Sequence, residues 1–382
     1  MTNKKIAIVV NDSWYAYNMR FNLALAFKNQ GYEVVFICPY DKYSDKIKQE
    51  FEYVDIKLNT KGTNPIEDLK TIYRYYKIYK DTKPNIILHY TIKPNIYGTF
   101  AASMLNIPTI NNIAGLGTLF IKQNFITKIA KWLYKFSQKR ATKIFFQNND
   151  DFNMFVDEKL VDKNKCDILP GSGVDIDKFV PVVKKDDGIF RFLIVSRMLW
   201  AKGIREYVIA AKIIKTKYSN TEFQLVGHLD VLSPTAISKE QMDVWVNDDI
   251  VNYLGTSDDV KIEIAKVDCM VLPSYYREGT PRTLLESASM AKPIITTDNV
   301  GCRDVVDDGI NGYLCEVRNS QDLADKMEIM INLSEDERTI MGQAGREKIV
   351  KEFDEKIVIN KYLESIREIL YSKGTFYRAN NE

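Results

Sequence analysis

Phe192-Leu193-Ile194-Val195-Ser196-Arg197-Met198-Leu199-Trp200-Ala201-Lys202-Gly203 opens on a short apolar run and passes into a loop holding two cations five positions apart. The run reads as a buried strand, and it restarts a pattern the chain has already used once. Before it, residues 6–10, 34–38, 86–89, 108–111 and 144–147 read as strands separated by helical patterns. After it, residues 223–226, 251–254, 270–272 and 294–296 continue in the same way. Strands alternating with helices predict parallel sheets covered on both faces, here two α/β, Rossmann-like domains. Leu169-Pro170-Gly171-Ser172-Gly173-Val174-Asp175, Pro181 and Lys184-Lys185-Asp186-Asp187-Gly188 carry turn and linker chemistry between them. The expected domains are residues 1–175 and 190–354. A helical tail from Ser334 to Lys373 is long enough for residues 355–382 to pack back on the first domain.

A chain of 382 residues is long for one hydrophobic core, which also argues for two domains. The start of the chain shows no signal-peptide pattern, and no run approaches the roughly 18 apolar residues of a spanning helix. Cys38, Cys166, Cys269, Cys302 and Cys315 stand singly, without CxxC spacing, so free thiols in a reducing cytoplasm are expected. Only His89 and His228 could join a Cys–His zinc site, and neither has a cysteine near it in sequence. The net charge of +2 hides an asymmetry: Lys61 to Asn149 holds fourteen Lys or Arg against Glu67, Asp68 and Asp81, about +11. A basic N-terminal half calls for an anionic partner.

The second chemical motif is Glu278-Gly279-Thr280-Pro281-Arg282-Thr283-Leu284-Leu285-Glu286. It follows the apolar run 270–272, so Glu278 falls at the carboxyl edge of a strand, where ligands bind in open α/β sheets. The helix expected after the Gly-Thr-Pro turn would offer N–H groups and its positive dipole end to an anion. Glu286 could accept hydrogen bonds from a sugar diol. Arg197 and Lys202 could hold a diphosphate, one as a planar fork and the other as a point charge. Alone, each pair reads more often as surface charge.

In order and spacing, Arg197 and Lys202, the Glu278–Glu286 stretch, then Gly301-Cys302-Arg303-Asp304-Val305-Val306 and Asp308-Gly309-Ile310-Asn311-Gly312 resemble the C-terminal domain of retaining glycosyltransferase family 4. That resemblance implies the GT-B fold, with two Rossmann-like domains facing across a cleft and a C-terminal helix returning to the first. It implies that Arg197 and Lys202 neutralise the departing diphosphate and that Glu278 stands beside the donor sugar. Gly279, Thr280, Pro281 and Arg282 would surround sugar and phosphate, Glu286 would bind the ribose, and Tyr253 and Leu254 would lie against the base. No cofactor and no metal are expected, because fixed cations and helix termini stabilise the leaving group. Asp175-Ile176-Asp177, the one early DxD, reads as turn chemistry.

In the first half, Ala114-Gly115-Leu116-Gly117-Thr118 follows a strand, and its glycines serve either a plain turn or a close approach to the donor. The segment from Leu88 to Asn95 resembles the family's strand-end loop facing the sugar, with Ile92 where many members carry a histidine. His89 reads as a strand residue. Lys93, Asn95 and Arg20 are candidates for contact with an anionic acceptor, and Asn18 lies on the same early segment.

Within residues 120–143, Phe125, Ile129, Trp132, Leu133 and Phe136 recur at helical spacing, interleaved with Lys128, Lys131, Lys135, Lys139 and Arg140. That pattern is either a core-packed helix with solvated lysines or an amphipathic helix on an anionic membrane; the local charge excess favours the membrane.

The resemblance is closest to bacterial polysaccharide and glycan transferases acting on undecaprenyl-diphosphate-linked sugars. It implies a UDP-sugar donor, a polyprenyl-diphosphate-linked acceptor, no nucleic acid, and a cytoplasmic enzyme peripheral to the inner face of the plasma membrane. A nucleotide-sugar epimerase or hydrolase of the same fold is the near alternative. A nicotinamide oxidoreductase is disfavoured, since Ile6 to Tyr15 lacks the GxGxxG turn. A non-catalytic membrane- or anion-binding protein would leave the two motifs unused.

Overall fold

The structure is a computed structural model that describes residues 4–59, 64–116, 125–229, 233 and 235–376. The chain divides into two compact units: one runs to Ser172 and resumes at Val358, and the other spans Gly173–Ile357.

Among its described residues unit 1 contains seven strands, β1 (Lys5–Val9), β2 (Glu33–Cys38), β3 (Glu52–Asp55), β4 (Ile86–Tyr90), β5 (Thr109–Ile113), β6 (Lys143–Phe146) and β7 (Cys166–Ile168). Its helices are α1 (Ser13–Asn29), α2 (Ser44–Lys48), α3 (Pro65–Thr82), α4 (Thr99–Met104), α5 (Phe125–Gln138) and α6 (Asn149–Asp157). The strands pair in the order β3-β2-β1-β4-β5-β6-β7, every pair parallel. Ile6, Ala7, Ile8 and Val9 are all fully buried, as expected of a parallel strand covered on both faces. One core layer gathers α1 and α2; the other gathers α3, α4, α5 and α6.

Unit 2 contains β8 (Phe190–Val195), β9 (Thr221–Val226), β10 (Asn252–Tyr253), β11 (Cys269–Leu272), β12 (Ile294–Thr297) and β13 (Gly312–Cys315). Its helices are α7 (Ile204–Lys215), α8 (Lys239–Asn247), α9 (Val260–Ala265), α10 (Arg282–Ser289), α11 (Ser320–Asn332) and α12 (Glu335–Glu352). The parallel order β10-β9-β8-β11-β12-β13 reverses direction between β8 and β11. That reversal is a topological switch point, the place where such sheets leave a crevice at their carboxyl ends.

One detail corrects the sequence reading: Leu169 to Gly188 was read as turn and linker, yet Val174 and Phe179 sit in the core of unit 2. In the helical tail α12 stops, and α13 (Glu355–Phe376) begins after Asp354. The break arises because Val174 N–H donates to Phe353 O and Glu355 N–H donates to Val174 O, both at 3.0 Å, diverting the backbone into a bridge. Gly173 allows this approach, since a Cβ there would lie 2.5 Å from Glu355 Cα. Beyond the break, Val358, Tyr362, Leu363 and Ile366 of α13 belong to the core of unit 1.

Candidate active site

The carboxyl ends of β8 and β11 bring the two sequence motifs together at the switch point. After β8 the chain makes a 3₁₀ turn, Trp200–Lys202, and Gly203 follows at φ 77°. A Cβ on Gly203 would stand 2.0 Å from Pro273 O, so only glycine lets the segment after β11 cross against this turn. Tyr275 and Tyr276 N–H both donate to Ala201 O at 3.0 Å, fastening the crossing. The Lys202 ammonium then pairs with Glu278 Oε1, both residues being buried. Ser274 Oγ donates to the same carboxylate oxygen at 3.0 Å and accepts from Tyr276 N–H at 3.2 Å. The Tyr276 ring centroid lies 5.1 Å from Lys202 Nζ and 6.0 Å from the exposed Arg197 guanidinium carbon, so both cations approach one aromatic ring.

Glu278 is followed by the turn into α10, whose first carbonyl, that of Pro281, accepts from Leu284 and Leu285. Gly301, at φ 77°, buttresses this turn: a Cβ there would meet Gly279 O at 1.8 Å. Asn299 Nδ2 donates to Ser274 O and Tyr276 O at 3.1 and 2.9 Å, tying the end of β12 to the same loop. One turn into α10, Glu286 is buried and accepts from Arg282 Nε at 2.9 Å. Burial pushes the Glu286 carboxyl up, and the Arg282 cation works against that rise.

The ends of β9 and β10 close the neighbouring side. Gly227, at φ 141°, lets Ser196 O approach to where a Cβ would be 1.8 Å away. Tyr253 OH donates to Gly227 O at 2.8 Å, while Leu254 remains exposed. Asp175 makes the expected turn, its Oδ1 accepting from Asp177 and Lys178 N–H. Among the described residues no group of three or more His, Cys, Asp or Glu could hold a metal.

In unit 1 the expected acceptor contacts come out differently. Arg20 is only 1% exposed; it donates to Tyr15 OH at 2.7 Å and Ser172 Oγ at 3.0 Å and lies 4.1 Å from the Tyr90 ring centroid. A guanidinium held in this way has no surface to offer a ligand. Asn95 is buried and donates to Asn112 O, and Lys93 is buried in an ion pair with Asp68 at 2.9 Å. His89 is a strand residue without solvent contact, its Nδ1 facing Asn111 Oδ1 at 3.0 Å and its Nε2 facing Tyr79 OH at 2.9 Å. The amide oxygen accepts, which puts the imidazole proton on Nδ1 and makes Nε2 the acceptor from tyrosine. Gly115 has φ 77°, as a turn demands, and Gly117 lies outside the described residues.

On α5, Thr127, Ala130, Tyr134, Ser137 and Gln138 face inward and Leu133 packs against the core, whereas Phe125, Ile129, Trp132 and Phe136 are exposed, so the core-packing alternative holds for Leu133 and not for these four. Lys128 and Lys139 are exposed, Lys135 is half-buried and Lys131 pairs with Glu158 at 2.6 Å.

Ser274, Tyr276, Asn299, Gly227 and Gly301 were not singled out from sequence as site residues. Pro273-Ser274 directly after a strand end was the available signal for the first two; Gly301 opens a motif of the resemblance, and Gly227 carried no signal beyond its type.

Two Rossmann-like units of this kind, with cations and buried carboxylates at the second switch point, define a GT-B glycosyltransferase. Residues 175–348 match the family described as glycosyl transferases group 1, and residues 5–148 match the family described as glycosyl transferase 4-like. The chain belongs to these family 4-like, group 1 glycosyltransferases. It is similar to an N,N'-diacetylbacillosaminyl-diphospho-undecaprenol alpha-1,3-N-acetylgalactosaminyltransferase of Campylobacter jejuni, 28% identical over 366 residues, covering 91% of this chain and 94% of that one. It is similar also to a UDP-Gal:alpha-D-GlcNAc-diphosphoundecaprenol alpha-1,3-galactosyltransferase of Escherichia coli, 26% identical, covering 89% of each. Among solved structures, a glycosyltransferase from Rickettsia africae superposes with TM-score 0.79 at 20% identity, covering 97% of this chain and 99% of that one. An Anabaena protein in complex with UDP-glucose gives TM-score 0.79 at 15% identity, covering 95% of this chain and 99% of that one.

Proposed function

We propose that this glycosyltransferase moves a hexose or N-acetylhexosamine from a UDP-sugar to a polyprenyl-diphosphate-linked glycan, with retention at the anomeric carbon and without a metal. The observation that carries the reading is the approach of Arg197 and Lys202 to the same Tyr276 ring beside Glu278, at the unit 2 switch point. The donor diphosphate lies against these two cations, which offset the charge that develops as it leaves. Two unit charges about 4 Å apart near a protein surface interact by about 4 kcal/mol, enough to stabilise a leaving group substantially. Glu278 positions Lys202 and faces the donor sugar; it is not the nucleophile. The acceptor hydroxyl attacks from the side the diphosphate leaves, and a phosphate oxygen takes its proton, so catalysis rests on positioning and charge. Glu286, turned from Arg282, binds the ribose. The activities of the Campylobacter jejuni and Escherichia coli relatives support the lipid-diphosphate acceptor. Among the described residues no helix is long and apolar enough to cross a membrane. The exposed aromatic and basic face of α5 supports peripheral contact at the cytoplasmic leaflet.

The test is UDP release from a panel of UDP- and GDP-sugars, with and without a polyprenyl-diphosphate-sugar fraction. Release that requires one UDP-sugar and the lipid supports the proposal. Turnover independent of lipid points to hydrolysis, and no turnover from a folded chain overturns it.

A further inference from the structure

Helix α10 begins in a way that does little for its own stability. Its N-cap, Pro281, makes no side-chain cap, and its first turn holds no acid. The first helical residue is instead a cation, Arg282, set against the positive end of the helix dipole. In the same unit α11 and α12 start on capping side chains, Asn319 and Ser334, with Asp322 and Glu337 in their first turns. The Arg282–Glu286 pair also stands in the weaker order, because an i,i+4 pair supports a helix better with its acid on the N-terminal side.

Glu286 is the other half of the arrangement. It is 7% exposed, and among the described residues Arg282 is the hydrogen-bond donor to its carboxylate. Burial raises the carboxyl, the Arg282 cation opposes the rise, and Lys178 and Asp259 add smaller effects of opposite sign. A buried carboxylate left without its cation is costly, so the empty site needs Arg282 on Glu286. A ribose diol needs the same carboxylate, since its hydroxyls donate and the carboxylate accepts. Arg282 stands one helical turn before Glu286, directly after the Gly279–Pro281 turn. Released from Glu286, its guanidinium is at the helix start, where N–H groups and the dipole already favour an anion.

We propose that Arg282 is an exchange residue: it neutralises Glu286 in the empty site and passes to the donor diphosphate when the ribose takes the carboxylate. The proposal rests on the reading of Glu286 as the ribose contact, and it adds a coupling between two parts of one ligand. A nucleoside alone must break the ion pair and leaves the guanidinium without an anion. A nucleoside diphosphate supplies a diol for Glu286 and phosphate oxygens for Arg282, whose planar fork suits bidentate contact. The exchange makes the site select a nucleoside diphosphate over a nucleoside by more than the contacts of Arg197 and Lys202 provide.

The test is titration of the full chain with uridine, followed by NMR, and with UDP, followed by calorimetry. Wild type is compared with Arg282→Met, Arg282→Gln and Glu286→Gln at pH 8, where the raised Glu286 carboxyl stays ionised. Circular dichroism confirms that each variant is folded. Removing the competitor should make uridine bind Arg282→Met about threefold more tightly, while UDP binds about tenfold more weakly. Arg282→Gln, whose amide still offers Glu286 a donor, should show the same opposite signs at smaller size. It covers the case in which Arg282→Met fails to fold. Uridine affinity that is unchanged or weaker in the Arg282 variants shows no competition for Glu286 and overturns the exchange. UDP affinity equal to wild type shows that Arg282 does not reach the diphosphate and overturns it too. Glu286→Gln tests the underlying reading by itself: unchanged uridine affinity in that variant removes the ribose contact, whatever the Arg282 variants do.

Discussion

The Lys202 ammonium and the Glu278 carboxylate form an ion pair inside unit 2, each side chain 11% exposed, with Ser274 as a third partner. The pair spans the switch point, one member after β8 and the other after β11. It therefore fixes the cation that the proposed reaction needs and joins the two halves of the sheet's active edge.

Lys202→Ala leaves the Glu278 carboxylate buried without its cation, and breaking a buried pair costs about 3–5 kcal/mol. The expected outcome is loss of both stability and turnover. Adding Glu278→Gln to it should restore most of the stability, because the remaining group is neutral, but not the turnover. Chemical denaturation and the UDP-release assay, run on both variants, separate the two effects.

Glu286→Gln replaces a carboxylate by an amide of the same size. Loss of a charge-assisted hydrogen bond, about 1.5–3 kcal/mol, should weaken UDP binding by roughly ten- to a hundredfold. Calorimetric titration with UDP checks this, and unchanged affinity would remove Glu286 from the donor site.

Gly301→Ala places a Cβ 1.8 Å from Gly279 O and adds a left-handed backbone at φ 77°. The Glu278–Pro281 turn must move, and transfer should fall far more than folding stability does. Gly309 shares the backbone strain, with φ 75°, but a Cβ there meets nothing within 4 Å. Gly309→Ala should cost only about 1–2 kcal/mol and leave kcat near wild type. Steady-state kinetics on the two variants makes the comparison.

Burial pushes the His89 imidazole down to about 4 from its ordinary 6.5, against a smaller opposing effect of the Asn111 hydrogen bond. The folded chain keeps His89 neutral where the unfolded chain protonates it. Its contribution to stability is therefore complete above pH 6.5 and is lost as pH falls from 6.5 to 4. At pH 5 the loss should be about 2 kcal/mol. His89→Gln should flatten the dependence of the denaturation midpoint between pH 7 and pH 5, and an unchanged slope would contradict the assignment.

Arg20→Lys keeps the charge and loses the planar group that stacks on Tyr90 while donating to Tyr15 and Ser172. It should lower the melting temperature of the chain and leave the KM for acceptor unchanged, which differential scanning calorimetry and kinetics together decide.

Fold class was readable because the strands of these sheets are continuous apolar runs: residues 6–9 and 192–195 announce themselves without any help from tertiary contacts. The motif Arg197, Lys202, Glu278 and Glu286 was readable because its members bracket strand ends. The burial of Arg20, Lys93 and Asn95 was not. Lys93 and Asn95 follow a strand end and Arg20 lies within α1, and sequence does not show that Tyr15, Asp68 and Asn112 would meet them there. What makes the break before α13 was equally hidden: Val174, a residue far away in sequence, pairs with the backbone of Phe353 and Glu355. Gly301 and Gly227 matter through the backbone carbonyls they admit, and composition does not reveal which glycine faces a carbonyl.

The most direct measurement is mass-spectrometric detection of product from the UDP-sugar identified in the panel and a polyprenyl-diphosphate-linked sugar, comparing wild type with Lys202→Ala/Glu278→Gln. By the proposed mechanism, the wild-type chain lengthens the lipid-linked glycan by one sugar and the folded double variant does so at least about a hundredfold more slowly. Equal rates in the two proteins would contradict it.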